Sequence, residues 1–288
     1  KMALNLTRKA YALKPKSDWV SKNLFELQIR AGCWSEALST SDALLKNGLL
    51  DKYKNKKRKC VLLYQLSLEK ISDGNTKRRR NFLEKSIGFD PTFIPAVSSY
   101  AKILIESGKN KKAMKLIEKT WTKSPHPDLV PLYLGAGGGG NSLERFKLLV
   151  MLASYNLDHY ESHVMKINAA LNADLWGEAR KVLDQFGDVA PEILTSQVCI
   201  LWAELEKLEK QDVEKSHLWL RRATLAPSSE KWVCKNCKNT IDQWTIVCSN
   251  CNEFNSVEWL LPFNKNDYST LGDSSKSANI SYEIPTVK

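Results

Sequence analysis

The sequence predicts an all-α chain of repeated helical hairpins, ending in a small ribbon that four cysteines tie to one metal ion. Three observations carry this prediction. Small residues, glycines and prolines recur at a step of 34 residues. Breakers are otherwise scarce: the 288 residues hold 13 Gly and 10 Pro, and four of the Gly fall in a single run. Two Cys-x-x-Cys pairs, Cys234/Cys237 and Cys248/Cys251, stand ten residues apart. The hydrophobic share of 43% suits a core-forming protein. No stretch approaches the ~18 consecutive apolar residues that a membrane-crossing helix needs.

The repeat is clearest from Ile94 to Pro127. Counted from Ile94, Ala101 is position 8, Gly108 is 15, Ala113 is 20 and Pro125 is 32. This is the tetratricopeptide pattern: two antiparallel helices whose close approach needs small side chains at 8 and 20. The turn falls near 15, and a proline at 32 stops the second helix. One step back lie Gly74 and Pro91. In the segment after Pro15, Leu24, Gly32 and Ala37 take positions 7, 15 and 20, and downstream Asp174, Trp176 and Ala179 take 15, 17 and 20. Repeats are therefore expected at 18–51, 60–93, 94–127, 128–159, 160–193 and 194–228, stacked into a right-handed superhelix. No unit buries its apolar face alone, so stacking makes the core continuous.

Two units are irregular. A basic insert, Lys52 to Lys59, lengthens the start of one. In another, Asp128 to Asn141, the first helix should be short and break at Gly137, Gly138, Gly139 and Gly140, in a mobile loop. At the N-terminus Pro15 takes position 32, so Ala10 is position 27, Ala3 is 20 and Lys1 is 18. A repeat does not begin there, and the expectation is a domain cut from a longer protein. The organisation read from sequence is thus a repeat array over 1–228 with a truncated first unit, a rubredoxin-like four-cysteine ribbon over 229–262, and a tail over 263–288. The tail is polar, aperiodic and expected to be disordered.

The ribbon carries the chemistry. Each Cys-x-x-Cys knuckle turns two thiolates towards one ion, and two knuckles complete a tetrahedral all-sulfur shell from Cys234, Cys237, Cys248 and Cys251. Four protein ligands leave no open coordination position, so the site is structural. Its binding energy, roughly 10–16 kcal/mol, would order a segment too small to fold alone. Zinc is the expected ion, and a four-sulfur shell also accepts iron. The residue after each knuckle often takes positive φ; Asn252 suits that conformation and Lys238 does not, so the first knuckle should be slightly strained. Trp232, Trp244 and Trp259 read as an aromatic core beside the metal, and Lys231, Lys235 and Lys238 as partial counter-charge. The ribbon is also expected to cover the last apolar face of the repeat stack. Cys33, Cys60 and Cys199 lie in apolar stretches and read as small core residues. Seven cysteines, four of them clustered, point to a reducing compartment and not to a disulfide framework.

These residues resemble a known family. Trp232, Cys234, Cys237, Trp244, Cys248, Cys251, Glu258, Trp259 and Pro262, with Leu175 to Leu183, resemble the bacterial HemY-type tetratricopeptide proteins. The resemblance covers residues 1–262 and is strongest in the ribbon and that one repeat. It implies a soluble repeat domain on the cytoplasmic face of the inner membrane, anchored by helices that precede the repeats. It also implies a non-catalytic scaffold for tetrapyrrole (haem) biosynthesis enzymes. The lipopolysaccharide assembly protein B family is similar in plan, joining such repeats to a rubredoxin-like ribbon, and implies an adaptor for a membrane protease and its substrate.

Net charge is +11 and strongly localised. Lys52, Lys54, Lys56, Lys57, Arg58 and Lys59 form one cluster, Lys77, Arg78, Arg79 and Arg80 a second, and Lys109, Lys111 and Lys112 a third. The second and third follow position 15 of their repeats, so stacking should align them as a basic edge. That edge reads as a solvated rim, a surface for anionic lipid headgroups, or a nucleic-acid surface. The last is disfavoured because the clusters lack interleaved aromatics. Catalysis has little support: His126, His159, His163 and His217 are scattered, and there is no nucleophile elbow, P-loop or zinc-protease motif. Haem ligation lacks a Cys-x-x-Cys-His or Cys-Pro pair, and His126, between Pro125 and Pro127, reads as a turn residue. The expected function is therefore binding of a protein partner in a concave groove lined by first helices, with Leu24, Gln28, Leu63, Tyr100, Ile103 and Leu104 as contacts.

Overall fold

In a computed structural model, the structure describes residues 2–72, 74–187 and 194–262. The expected disordered tail over 263–288 and the end of the 160–193 repeat lie outside these residues. Among them the chain is all-α apart from one small sheet. The helices are α1 (Met2–Leu13), α2 (Asp18–Arg30), α3 (Trp34–Lys46), α4 (Lys52–Ser72), α5 (Thr76–Phe89), α6 (Ile94–Glu106) and α7 (Asn110–Trp121). They continue with α8 (Val130–Ala136), α9 (Ser142–Ala153), α10 (Tyr160–Leu171), α11 (Trp176–Gly187), α12 (Ser196–Glu209) and α13 (Val213–Leu225). From α2 onward they form tetratricopeptide hairpins, α2/α3 through α12/α13. None is long and apolar enough to cross a membrane.

Why the chain turns where it does is visible at position 15. Gly32, Gly74 and Gly108 have φ of +70°, +63° and +68°, the left-handed conformation that closes a helix C-terminus without a Cβ penalty. Asp174 fills the equivalent place at φ +55°. Positions 8 and 20 behave as close-approach sites: Ala101, Ala37, Ala113 and Ala179 are all 0% exposed. A larger side chain at any of them would drive two helices apart.

Contacts divide the chain into two compact units, Lys1–Thr120 with Thr245–Ser256, and Trp121–Trp244 with Val257–Lys288. In the first, consecutive helices from α1 to α6 pack in sequence order. One core cluster is Leu83, Ala96 and Ile103, flanked by Tyr64, Phe93 and Tyr100. The basic insert is helical and forms the opening two turns of α4, which Asp51 caps by accepting the Lys54 N–H at 2.8 Å. Lys and Arg are good helix formers, so a basic segment adds turns here without forming a loop. Inside, Ser41 donates to Asn55 at 2.7 Å, and Lys59 pairs with Asp42 at 2.6 Å.

In the second unit the principal core gathers Ile167, Ala170, Leu183, Val198, Trp202 and Leu205 with their neighbours on α10, α11 and α12. Trp202 stacks on Trp219 with ring centroids 5.2 Å apart. Arg180 binds Glu206 at 3.0 Å and also Glu209, so the buried Glu206 carboxylate has a counter-charge. The expected short helix is α8, of seven residues, ended by Gly137. The loop expected to be mobile is a closed turn. Gly139 donates to Leu134, Arg145 holds the Gly139 carbonyl at 2.7 Å, and Asn141 and Glu144 form a capping box that starts α9.

The last helix differs from expectation. On α13, Leu218 is 57% exposed and Leu225 89%. These two side chains of the last helix stand open.

Candidate metal centre

The ribbon is built on three short strands, β1 (Lys231–Cys234), β2 (Thr240–Ile241) and β3 (Val257–Leu260), in the order β2-β1-β3. Both pairings are antiparallel: Trp232 faces Ile241 on one side of β1 and Trp259 on the other. The two knuckles share one backbone plan. Cys234 donates its N–H to Asn239 at 2.9 Å and accepts from Lys238 at 2.8 Å; Cys248 donates to Glu253 at 3.0 Å and accepts from Asn252 at 2.9 Å. Lys238 and Asn252 sit at φ +60° and +57°. Both knuckles therefore need the left-handed residue, and the first holds a lysine there against its steric preference.

This plan gathers the four thiols. The sulfurs of Cys234, Cys237, Cys248 and Cys251 all lie within 4.8 Å of one another. A tetrahedral shell with Zn–S bonds of ~2.3 Å needs sulfurs about 3.8 Å apart, a spacing compatible with that cluster. Cys234 and Cys248 are fully buried, while Cys237 and Cys251 are partly open. An all-thiolate donor set suits zinc or iron and leaves no ligand position for a reacting water. Lys235, read as counter-charge, is paired with Glu258 at 2.7 Å.

Sequence reasoning missed what the aromatic residues touch. In the second unit Trp232 and Trp259 meet edge to face at 5.3 Å, and the His126 ring lies 5.3 Å from the first and 4.3 Å from the second. His126 is 1% exposed and is more than a turn residue. Its Nδ1 accepts the Asp128 N–H at 3.1 Å, while Nε2 has no hydrogen-bond partner among the described residues. Burial pulls its pKa down to about 4, against a smaller opposing pull from Asp128. In the first unit Phe254, from the second knuckle, meets Phe25 of α2 edge-on at 5.3 Å. No sequence signal links residues so far apart in the chain.

The other histidines and cysteines also have places. His159 caps α10 by accepting the Glu161 N–H, and burial lowers the pKa of both His159 and His163. His217 is exposed. Glu161 is pushed up to about 7 by burial, with Glu230 adding to the shift. Cys60 and Cys199 are buried as expected, the Cys60 thiol raised to about 12 by desolvation. Cys33 differs: it is half-exposed and opens α3, because a helix start leaves it at the rim of the hairpin.

Of the expected groove contacts, Leu63, Ile103 and Leu104 are buried at 5%, 3% and 2%, inside helix packing. Tyr100 is half-buried and donates to Glu84, which also binds Arg80. Leu24 and Gln28 are also buried, at 3% each, and border a recess of about 330 Å³ with Arg8, Tyr11, Glu36 and Thr40. Arg8 and Glu36 pair across it at 2.7 Å. In the basic clusters, Lys54, Lys56, Lys77, Arg78, Lys111 and Lys112 are exposed, and Lys57, Arg58, Arg79 and Arg80 half-buried. The second cluster occupies the first turn of α5; of the third, Lys111 and Lys112 lie in the first turn of α7 and Lys109 just before it.

Fold and site define a tetratricopeptide-repeat protein with a four-cysteine ribbon. No known family profile matches the chain. It is 26% identical over 236 residues to a probable magnetosome protein, Mms48, of Magnetospirillum gryphiswaldense, covering 82% of this chain and 52% of that protein. The chain thus spans about half the length of this relative. Among solved structures it is similar to a tetratricopeptide repeat protein from Parabacteroides merdae (16% identity, 77% of this chain and 85% of that one, TM-score 0.35). It is also similar to PilF of Pseudomonas aeruginosa (12% identity, 77% and 93%, TM-score 0.35).

Proposed function

We propose that this protein is a non-catalytic scaffold that binds a partner protein on its helical hairpins, with a ribbon held by one zinc ion on Cys234, Cys237, Cys248 and Cys251. The observation that carries the scaffold reading is the recess lined by Leu24 and Gln28. The half-exposed Arg8–Glu36 pair in that recess offers a donor and an acceptor to a peptide main chain. The zinc reading rests on the all-thiol donor set and the 4.8 Å clustering; a four-thiolate shell makes it structural.

The finer reading is a scaffold for tetrapyrrole enzymes on the cytoplasmic face of a bacterial inner membrane. It rests on the likeness of the ribbon and of Leu175 to Leu183 to HemY-type proteins. Crosslinking mass spectrometry of the protein in its own membrane tests it. Crosslinks from α1–α3 to tetrapyrrole enzymes are expected; partners without any such enzyme remove the haem link, and no partner at all removes the scaffold. A second reading, a magnetosome-associated scaffold, is favoured by the 26% identical relative, and predicts co-purification with that compartment. A lipopolysaccharide-regulating adaptor would crosslink to a membrane protease.

A further inference from the structure

The first unit contains a cleft of about 470 Å³ between α2, the start of α4 and the second knuckle, within the ~300–1,000 Å³ typical of binding sites. Its floor is aromatic. Phe25 and Phe254 meet there edge to face, and the Arg58 guanidinium lies 4.2 Å from the Phe25 ring centroid. Arg58 is half-buried, and desolvation lowers its pKa. Two nearby lysines are neutralised: Lys54 pairs with Asp51 at 3.6 Å and Lys59 with Asp42 at 2.6 Å. Among the described residues Arg58 has no carboxylate at ion-pair distance. Glu26 and Asp51 act on it only as a more distant field. A stacked guanidinium has its fork already oriented, so little side-chain freedom is lost when it takes an anion.

We infer that this cleft binds an acidic peptide segment of a partner protein, with one carboxylate on Arg58 and an adjacent apolar side chain against Phe254. The inference rests on the scaffold reading and names its partner chemistry. Charge around the cleft selects this occupant over a polyanion. Arg30 and Lys57 add positive charge, but Glu26 and Glu253 stand among them. A lipid surface or nucleic-acid backbone brings a row of anionic groups, some of them against those carboxylates, which weakens its hold on the cations. A peptide brings one or two carboxylates together with N–H donors that the glutamates accept.

The test uses the full 288-residue chain and a fluorescein-labelled peptide, Gly-Asp-Leu-Phe-Asp-Gly, followed by anisotropy. Saturable binding is expected. It should weaken at least tenfold when the peptide aspartates become asparagine, and at least tenfold with Arg58→Met, which keeps an apolar stem on Phe25. Glu253→Gln removes a competing carboxylate and should tighten binding several-fold, a readout that does not depend on how well Arg58→Met folds. Absence of saturable binding, equal affinity for the asparagine peptide, or indifference to both variants would overturn the inference. So would equally tight, Arg58-dependent binding of phosphatidylglycerol vesicles. If the peptide fails while partner crosslinks from α1–α3 persist, the cleft assignment falls and the scaffold stands. Peptide binding with no crosslinked partner in the membrane leaves the cleft and removes the scaffold.

Discussion

Two buried groups in the second unit should respond to acid in opposite directions, and separating them tests the burial argument. His126 is held neutral between Trp232 and Trp259 with its pKa lowered to about 4. Between pH 6.5 and 4 the unfolded chain takes up a proton that the folded histidine refuses, so stability falls as pH drops through that window. From pH 7 to 5 the loss is about 2 kcal/mol. Glu161 has its pKa raised to about 7. The folded carboxyl takes up its proton before the unfolded one, near 4.5, so stability rises as pH falls from 7 towards 4.5. Over the same interval the gain is again about 2 kcal/mol. The two nearly cancel, and the wild-type profile hides both. His126→Gln should therefore become more stable on going from pH 7 to 5, relative to wild type, and Glu161→Gln less stable, by about 2 kcal/mol each way. Urea unfolding at pH 7, 6 and 5, followed by tryptophan fluorescence, measures this. Thiolate protonation and metal release affect all three proteins alike and drop out of the comparison. Profiles parallel to wild type in both variants would refute the reasoning.

Cys248→Ser should abolish stoichiometric zinc, read by elemental analysis, and lower the melting temperature. Chelator should lower the wild type towards the same value; unchanged metal content and stability would end the structural-metal reading. Gly108→Ala places a Cβ at φ +68° with open space around it, so the backbone alone should cost about 1–2 kcal/mol in chemical denaturation. Asp174→Gly relaxes the same conformation at φ +55° and should stabilise by about 0.5 kcal/mol. Arg180→Met leaves the buried Glu206 without its counter-charge and should cost about 3 kcal/mol by the same assay.

The hairpins were legible because their geometry constrains single positions. A left-handed turn residue admits Gly and tolerates Asp, and a close helix crossing admits Ala. Gly32, Gly74, Gly108, Asp174 and the four buried alanines therefore stand at fixed steps that a count along the chain detects. The knuckles were legible for a related reason: a tight turn that aims two thiolates at one point fixes the spacing of its cysteines. Local signals also placed α8 and its glycine stop. They did not show that the glycine run is closed, because Arg145 reaches back to it through a bond that periodicity does not encode.

Where the ribbon's aromatic side chains go was not legible, and the reason is physical. Trp232 and Trp259 lie on strands too short to show a buried face by alternation, and Phe254 lies in the second knuckle outside any strand. Their partners, His126 and Phe25, carry no pattern that marks a receiving surface. A histidine between two prolines has the composition of an exposed turn, yet only a flat, neutral ring with one local acceptor satisfies both the Asp128 N–H and the two indoles. Charge clusters misled in the complementary way. Counting identified Lys52 to Lys59 as one basic block, but side-chain direction divides it. Lys54 and Lys59 reach carboxylates, while Arg58 turns onto an aromatic ring. Net charge describes the block; the unmatched guanidinium among its paired neighbours gives it a place to bind.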